Sequence, residues 1–248
     1  MTVVEGGGST TATEGGAGDA YTVVLDSQPT ASVTISVTPD GQVTTDAGGS
    51  LLFTTVNWNI AQTVNVDAVN DDVDETSPHN GFIVQAATSG DGNYNGIAVD
   101  DITVVITDND TAGVTVNEGG GSTTATEGGA GDAYTVVLDS EPTANVTISV
   151  TPDGQVTTDA GGSLLFTPAN WDVLQTVNVD AVDDAVAETT PHNGFIVQAA
   201  TSGDTNYNGI AVDDITVLID DNDSFGVTVV EGGGSTTATE GGAGDAYT

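Results

Sequence analysis

Apolar and polar residues alternate with a period of two along most of this chain. Tyr21, Val23 and Leu25 are interleaved with Thr22 and Val24, and Val33, Ile35 and Val37 with Thr34 and Ser36. Val64, Val66 and Ala68 alternate with Asn65 and Asp67, and Leu51 with Phe53 forms a shorter inward pair. Side chains two apart share one face of a strand, so each run predicts a half-buried β-strand. The same rule predicts Phe82, Val84 and Ala86 on one inward face, and one long closing strand from Ile97 to Ile106 with Val104 and Ile106 inward. Thr2 to Glu5 reads as a short opening strand before Gly6-Gly7-Gly8, with Thr10 to Glu14 continuing extended. Gly15–Asp19, Pro39-Asp40-Gly41 and Asp91–Gly96 carry the residues of turns. No 3.6-residue period persists for three turns. About seven strands in roughly 110 residues predict an all-β fold, an antiparallel β-sandwich of the Ig-like kind.

The pattern then repeats. Glu5, Glu118 and Glu231 are equivalent and 113 residues apart (118 − 5, 231 − 118). Copies one and two differ at about 18 of 113 positions. So long a period means a whole domain per repeat, not a solenoid turn, and each copy can bury its own core. The expected organisation is a sandwich over 1–110, a hinge at 111–113, a second sandwich over 114–223, a hinge at 224–226, and the opening strands of a third copy over 227–248. The last strand should continue through Ala246-Tyr247-Thr248, which reads as a window onto a longer array. The opening Met1-Thr2-Val3-Val4-Glu5 lacks the basic and apolar regions of a cleaved leader, so any secretion signal is expected outside these residues.

Charge sharpens the picture. The 248 residues hold 37 Asp and Glu but no Lys or Arg, a formal net charge of −37. Nothing in such a chain can neutralise phosphates, which excludes nucleic acid as a partner and argues against anionic membrane surfaces. No apolar run of membrane-spanning length exists, so membrane insertion is not expected. Cysteine is absent, so neither disulfides nor thiolate metal sites are available. Cations are the natural partners.

The carboxylates cluster. One group is the loop Asn70-Asp71-Asp72-Val73-Asp74-Glu75, another the knot Asp108-Asn109-Asp110 after the closing strand. Calcium takes six to eight hard oxygen ligands and suits such loop-borne sets, whereas magnesium prefers a tight octahedron with retained waters. Asp26, Asp40 and Asp91 read instead as solvated turn formers. His79 and His192 read as turn residues in Pro-His-Asn-Gly. Asp100-Asp101 and Asp213-Asp214 should point to opposite faces of a strand. Trp58 and Trp171 read as core plugs. No nucleophile with a base, phosphate loop or cofactor motif is present, so no enzymatic activity is expected.

Several stretches resemble the Calx-beta family. They are Ala112-Gly113-Val114-Thr115-Val116, Ala125-Thr126-Glu127, Leu164-Leu165-Phe166-Thr167, Val179 to Glu188 and Asp221-Asn222-Asp223. Phe166 to Trp171 with Tyr207-Asn208-Gly209 is similar to the version in very large bacterial repeat proteins. The family is a calcium-binding β-sandwich of sodium–calcium exchangers and of tandem arrays in bacterial surface proteins. The resemblance implies calcium ligands at one end of each sandwich. In copy one they fall on Glu14, Asp46, Asp71, Asp72, Glu75, Asp108 and Asp110. In copy two they fall on Glu127, Asp159, Asp184, Glu188, Asp221 and Asp223, with Asp183 gained while Asp72 and Asp74 become Ala185 and Ala187. The family's Asp-Tyr is Asp46-Ala47 and Asp159-Ala160 here. The function implied is a calcium-stabilised structural module in the shaft of an extracellular or cell-surface bacterial fibre or adhesin. Its partners would be calcium ions and neighbouring repeats. The alternatives are a filament subunit completed by strand exchange with other copies of the chain, and a calcium-sensing regulatory domain.

Overall fold

In the computed structural model, residues 1–231, 233–242 and 244 are described. The alternating runs of the first copy become β1 (Thr2–Glu5), β2 (Thr10–Thr13), β3 (Asp19–Val24), β4 (Val33–Pro39), β5 (Val43–Thr45), β6 (Ser50–Phe53), β7 (Gln62–Ala68), β8 (His79–Ser89) and β9 (Ile102–Thr107). The second copy supplies β10 (Val114–Glu118), β11 (Thr123–Thr126), β12 (Asp132–Leu138), β13 (Val146–Pro152), β14 (Val156–Thr158), β15 (Ser163–Phe166), β16 (Gln175–Ala181), β17 (His192–Ser202) and β18 (Ile215–Asp220). Each copy pairs a four-stranded sheet, β1-β3-β7-β5 or β10-β12-β16-β14, with a five-stranded one, β2-β9-β8-β4-β6 or β11-β18-β17-β13-β15. Alternate residues of both sheets meet in one apolar cluster per copy. Trp58 and Trp171 pack against these clusters from their margins.

Nine strands stand where about seven were expected, for two local reasons. The glycine turn Gly6–Gly8 breaks the opening strand and carries the chain from one sheet to the other. The Glu5 carboxylate pins this crossover by accepting from Thr10 N and Thr10 Oγ1, both at 2.8 Å. The other addition is the three-residue β5. The pairing is antiparallel except that β2 runs parallel to β9, and β11 to β18.

Two expectations need correction. Phe82 and Val84 face outward, 49% and 54% exposed, and Ile83, Gln85 and Ala87 face the core. Gly81 sets this register. A β-carbon there would lie 2.7 Å from Val43 Cγ1 and 3.0 Å from Ile106 Cδ1, so only glycine fits the inward position opposite the core. Gln85 is tolerated inside because Tyr21 Oη donates to it at 3.4 Å and its amide donates to Asp100 O at 2.8 Å. The closing strand is also shorter than expected, beginning at Ile102 instead of Ile97. Asp101 ends the pairing by accepting from Gln85 N at 2.8 Å, so Asp100 and Asp101 do not alternate within a strand. Ile83→Ala should therefore cost about 2–5 kcal/mol, while Phe82→Ser should change stability by under about 1 kcal/mol. Urea unfolding of the two variants checks this, and the reverse ranking would overturn the register.

In the third copy, Val227 to Val230 form no strand and Glu231 joins only an isolated bridge. The strand expected at Ala246-Tyr247-Thr248 lies outside the described residues.

The topology gathers several chain segments at one end of each sandwich. β2 and β9 run side by side toward it, β8 starts there with His79 opposite Ile106, and β7 leaves there into the acidic loop.

Candidate metal centre

Thr10 and Ala12 point into the core from β2, and the next inward position is Glu14, only 2% exposed. The ladder extends to hold it, with Glu14 N donating to Thr107 O at 3.0 Å. Neither carboxylate oxygen of Glu14 has a hydrogen-bond partner, and the same holds for Glu127 in copy two. A buried carboxylate without partners is costly unless a cation meets it. Its neighbours are further carboxylates. Ligand oxygens of Glu14, Asp108 and Asp110 lie within 4.8 Å of one another, as do those of Glu127, Asp221 and Asp223.

The backbone fixes this cluster. Asp108 accepts from Glu75 N at 2.7 Å and from Asp110 N at 2.9 Å. Asp110 Oδ2 is left buried and unpartnered. Asp71 accepts from Val73 N at 2.9 Å, which bends the acidic loop locally, and Asp71 itself lies outside the ligand clusters. Copy two repeats the pattern, with Asp221 accepting from Asp223 N and Glu188 N, and Asp184 from Val186 N.

Other expected residues stand apart. Asp46 is exposed and held by Asn65, whose N and Nδ2 donate at 2.9 and 2.6 Å, and Asp159 is held likewise by Asn178. Asp72 has an exposed side chain. Asp183 is outside the ligand clusters but takes the place of Asn70 beside the tail, accepting from Asn222 Nδ2 at 2.9 Å. Asp91, read as a solvated turn former, is instead buried, accepting from Thr30 N and Oγ1 and from Asn93 N.

Sequence reasoning missed three kinds of participant. Asn109 Nδ2 ties the tail to Glu14 O at 3.1 Å and to Asn70 Oδ1 at 2.9 Å, and Asn222 does the same in copy two. Gln42 Nε2 holds Glu75 Oε1 at 2.9 Å. His79 and His192 open strands β8 and β17 instead of sitting in turns, and their rings reach the cluster.

Crowded like charges favour either protonation or a counter-ion. Burial, reinforced by Asp108, Asp71, Glu75 and Asp110, pushes the Glu14 carboxyl up to about 7. Glu127 is raised by the same causes, and Asp110 by burial and then Asp108, Asp72, Asp71 and Asp74. Asp221 is lowered by its backbone donors. Hard carboxylate oxygens from the end of β2 and the tail after β9, with an orphaned buried Glu among them, fit a calcium ion.

These shifts fix the metal-free pH dependence. Glu14 has a folded value above its ordinary 4.5, so the stability it contributes is full below about 4.5 and is lost as pH rises through about 7. Asp46, Asp91 and Asp159, lowered by hydrogen bonds, act oppositely and lose their contribution only as pH falls below the ordinary carboxylate range. In chelator the melting temperature should be higher at pH 5.5 than at pH 8. Glu14→Gln with Glu127→Gln should raise the pH 8 value and flatten the profile. A melting temperature that climbs from pH 5.5 to 8 in the unsubstituted protein would contradict this.

No protein-family model matches the chain, and no curated protein matches it. Solved structures similar to it include CBD12 from CALX1.2, 15% identical, covering 88% of this chain and 99% of that one at a TM-score of 0.34. The calcium-binding domain CBD12 of CALX1.1 gives 15% identity, 88% and 100% coverage and a TM-score of 0.34. The D00-D0 domain of intimin gives 16%, 84% and 94%, and 0.28. At these values the likeness is remote, and the metal centre stands on its own residues.

Proposed function

We propose that this chain is a calcium-stabilised structural module, built of repeats over 1–110 and 114–223, in the shaft of an extracellular fibre or adhesin. The observation that carries the proposal is Glu14, a carboxylate in a core position, without a partner and facing Asp108 and Asp110. Calcium supplies the missing charge and ties the end of β2 to the tail after β9. Two features support a spacer over a recognition tip. The copies are nearly identical, and the absence of Lys and Arg leaves trypsin-like proteases no cleavage site. Net charge of one sign keeps neighbouring shafts apart.

Calcium titration followed by thermal melting tests this. Extracellular calcium modules bind with dissociation constants of about 10⁻⁴–10⁻³ M, and the melting temperature should rise across that range. Glu14→Gln with Glu127→Gln should abolish most of the rise. Near-micromolar affinity with a large conformational response would favour a sensor, and a melting temperature indifferent to calcium would defeat the proposal.

A further inference from the structure

Beside the all-carboxylate cluster lies a second one of different chemistry. Ligand atoms of Glu14, Glu75 and His79 fall within 4.8 Å of one another, and Glu127, Glu188 and His192 repeat the arrangement. His79 Nε2 lies 3.3 Å from Glu75 Oε2 and 4.0 Å from Glu14 Oε1, and His192 Nε2 lies 3.1 Å from Glu188 Oε2. These approaches are close but are not aligned hydrogen bonds. His79 Nδ1 and Nε2, Glu75 Oε2 and both oxygens of Glu14 are all buried and unpartnered. Three side chains with buried, unpartnered polar atoms therefore bring one ligand atom each to a common point, among them the fully buried Glu14.

We infer that each repeat carries a second, nitrogen-containing cation site, formed by His79, Glu75 and Glu14 in copy one and by His192, Glu188 and Glu127 in copy two, that takes a zinc-class transition metal. Calcium is an oxygen-seeking ion, whereas imidazole suits zinc and its neighbours. Zinc with one His and carboxylates binds at about 2.0–2.2 Å, and tetrahedral geometry then sets ligand atoms about 3.3 Å apart. The His–Glu separations of 3.3 and 3.1 Å already match, and Glu14 needs only a short approach. A water would complete the fourth position, as at zinc sites with three protein ligands.

A supporting contact points the same way. Gln42 Nε2 donates to Glu75 Oε1 at 2.9 Å, and Gln155 Nε2 to Glu188 Oε1 at 3.2 Å. Each amide holds one carboxylate oxygen and leaves the other aimed at the imidazole, as outer-shell partners of metal ligands do. Charge leaves room for two ions. Asp108, Asp71, Glu75 and Asp110 all act on Glu14, and five carboxylates carry more charge than one divalent cation can neutralise. Glu14 is common to both clusters and would bridge the two cations.

Zinc alone, added to the chelator-stripped full chain in the absence of calcium, separates this inference from the calcium reading. The chain has two histidines and no cysteine, so ring nitrogen signals in NMR report two sites without interference. Both imidazoles should shift with zinc at pH 7.5. Titration calorimetry should show at least tenfold weaker zinc binding after His79→Gln with His192→Gln, while the substituted protein still melts cooperatively. Imidazole signals unmoved at saturating zinc, or equal zinc affinity in the substituted protein, would overturn the inference whatever calcium does.

Discussion

Phe166→Ala is expected to cost about 3–5 kcal/mol, the usual range for a fully buried Phe. Phe166 lies at the end of β15 opposite Val146 and is 0% exposed, in a core shared with Val177, Ile196 and Val217. Removing the ring leaves a cavity between the two sheets, and rigid ladders on both sides limit how far the walls can close. At about 4–8 °C per kcal/mol for a domain near this size, copy two should melt more than about 10 °C lower. Copy one has its own core around Phe53 and should melt nearly unchanged. Calorimetry of the full chain should then resolve two transitions where the near-identical copies otherwise overlap. The preceding residue provides the control, because Leu165 is 51% exposed and Leu165→Ala should matter little. A loss below about 1 kcal/mol at Phe166 would mean that β15 is not a core strand.

Most of the sandwich was legible because one physical rule, alternation across a pleated sheet, governs β3, β4, β7 and the second half of the closing strand. That rule weighs hydrophobicity alone, and β8 shows its limit. Along β8 the apolar Phe82 and Val84 outrank Gly81 and Gln85 in any hydrophobic count. Yet the core has room only for a glycine opposite Val43, and Gln85 brings its own hydrogen bonds inward. Packing and polar satisfaction, which depend on partners distant in sequence, set the register against the local pattern.

A turn motif, Pro-His-Asn-Gly, hid the histidines. With Gly81 and Ile83 inward, His79 is inward too, two residues earlier on the same face, and it meets Glu75 and Glu14. The motif alone makes it a turn residue, whereas it is the first residue of β8. Glu14 was reached through resemblance, although its inward position after Thr10 and Ala12 follows from alternation once β2 is separated from β1. Asp46 shows the opposite case. The motif places it with the ligands, but its carboxylate is engaged by Asn65 on the outer face of the other sheet.

Chelation is expected to loosen the joint between the copies as well as the end of the first. The acidic loop of copy one touches copy two at two points and the hinge at a third. Glu141 N donates to Asp72 O at 2.6 Å, Asn206 Nδ2 to Asp74 O at 2.6 Å, and Ala112 N to Asp74 Oδ2 at 2.9 Å. Gly113 follows directly, donating no bulk where a β-carbon would strike Asp139 Oδ2, and its carbonyl accepts from Asp139 N at 3.0 Å. The loop that makes these contacts is anchored from behind by Asp108, through Glu75 N. A cation held by Glu14, Asp108 and Asp110 would therefore stiffen both the loop and the three residues that lead into β10. At calcium a hundredfold above its dissociation constant one site adds about 2.7 kcal/mol, a large share of a domain's usual 5–15 kcal/mol. Without it, repulsion among the carboxylates acts on the loop that forms the joint. Small-angle scattering in chelator should show a shorter and broader distribution of end-to-end distances than in calcium. Asp108→Ala with Asp110→Ala should reproduce that distribution with calcium present, while Asp183→Asn, at the far end of copy two, should leave it unchanged. Scattering curves and melting temperatures that ignore both chelator and the double substitution would reduce the acidic knot to a turn and leave the joint to its hydrogen bonds alone.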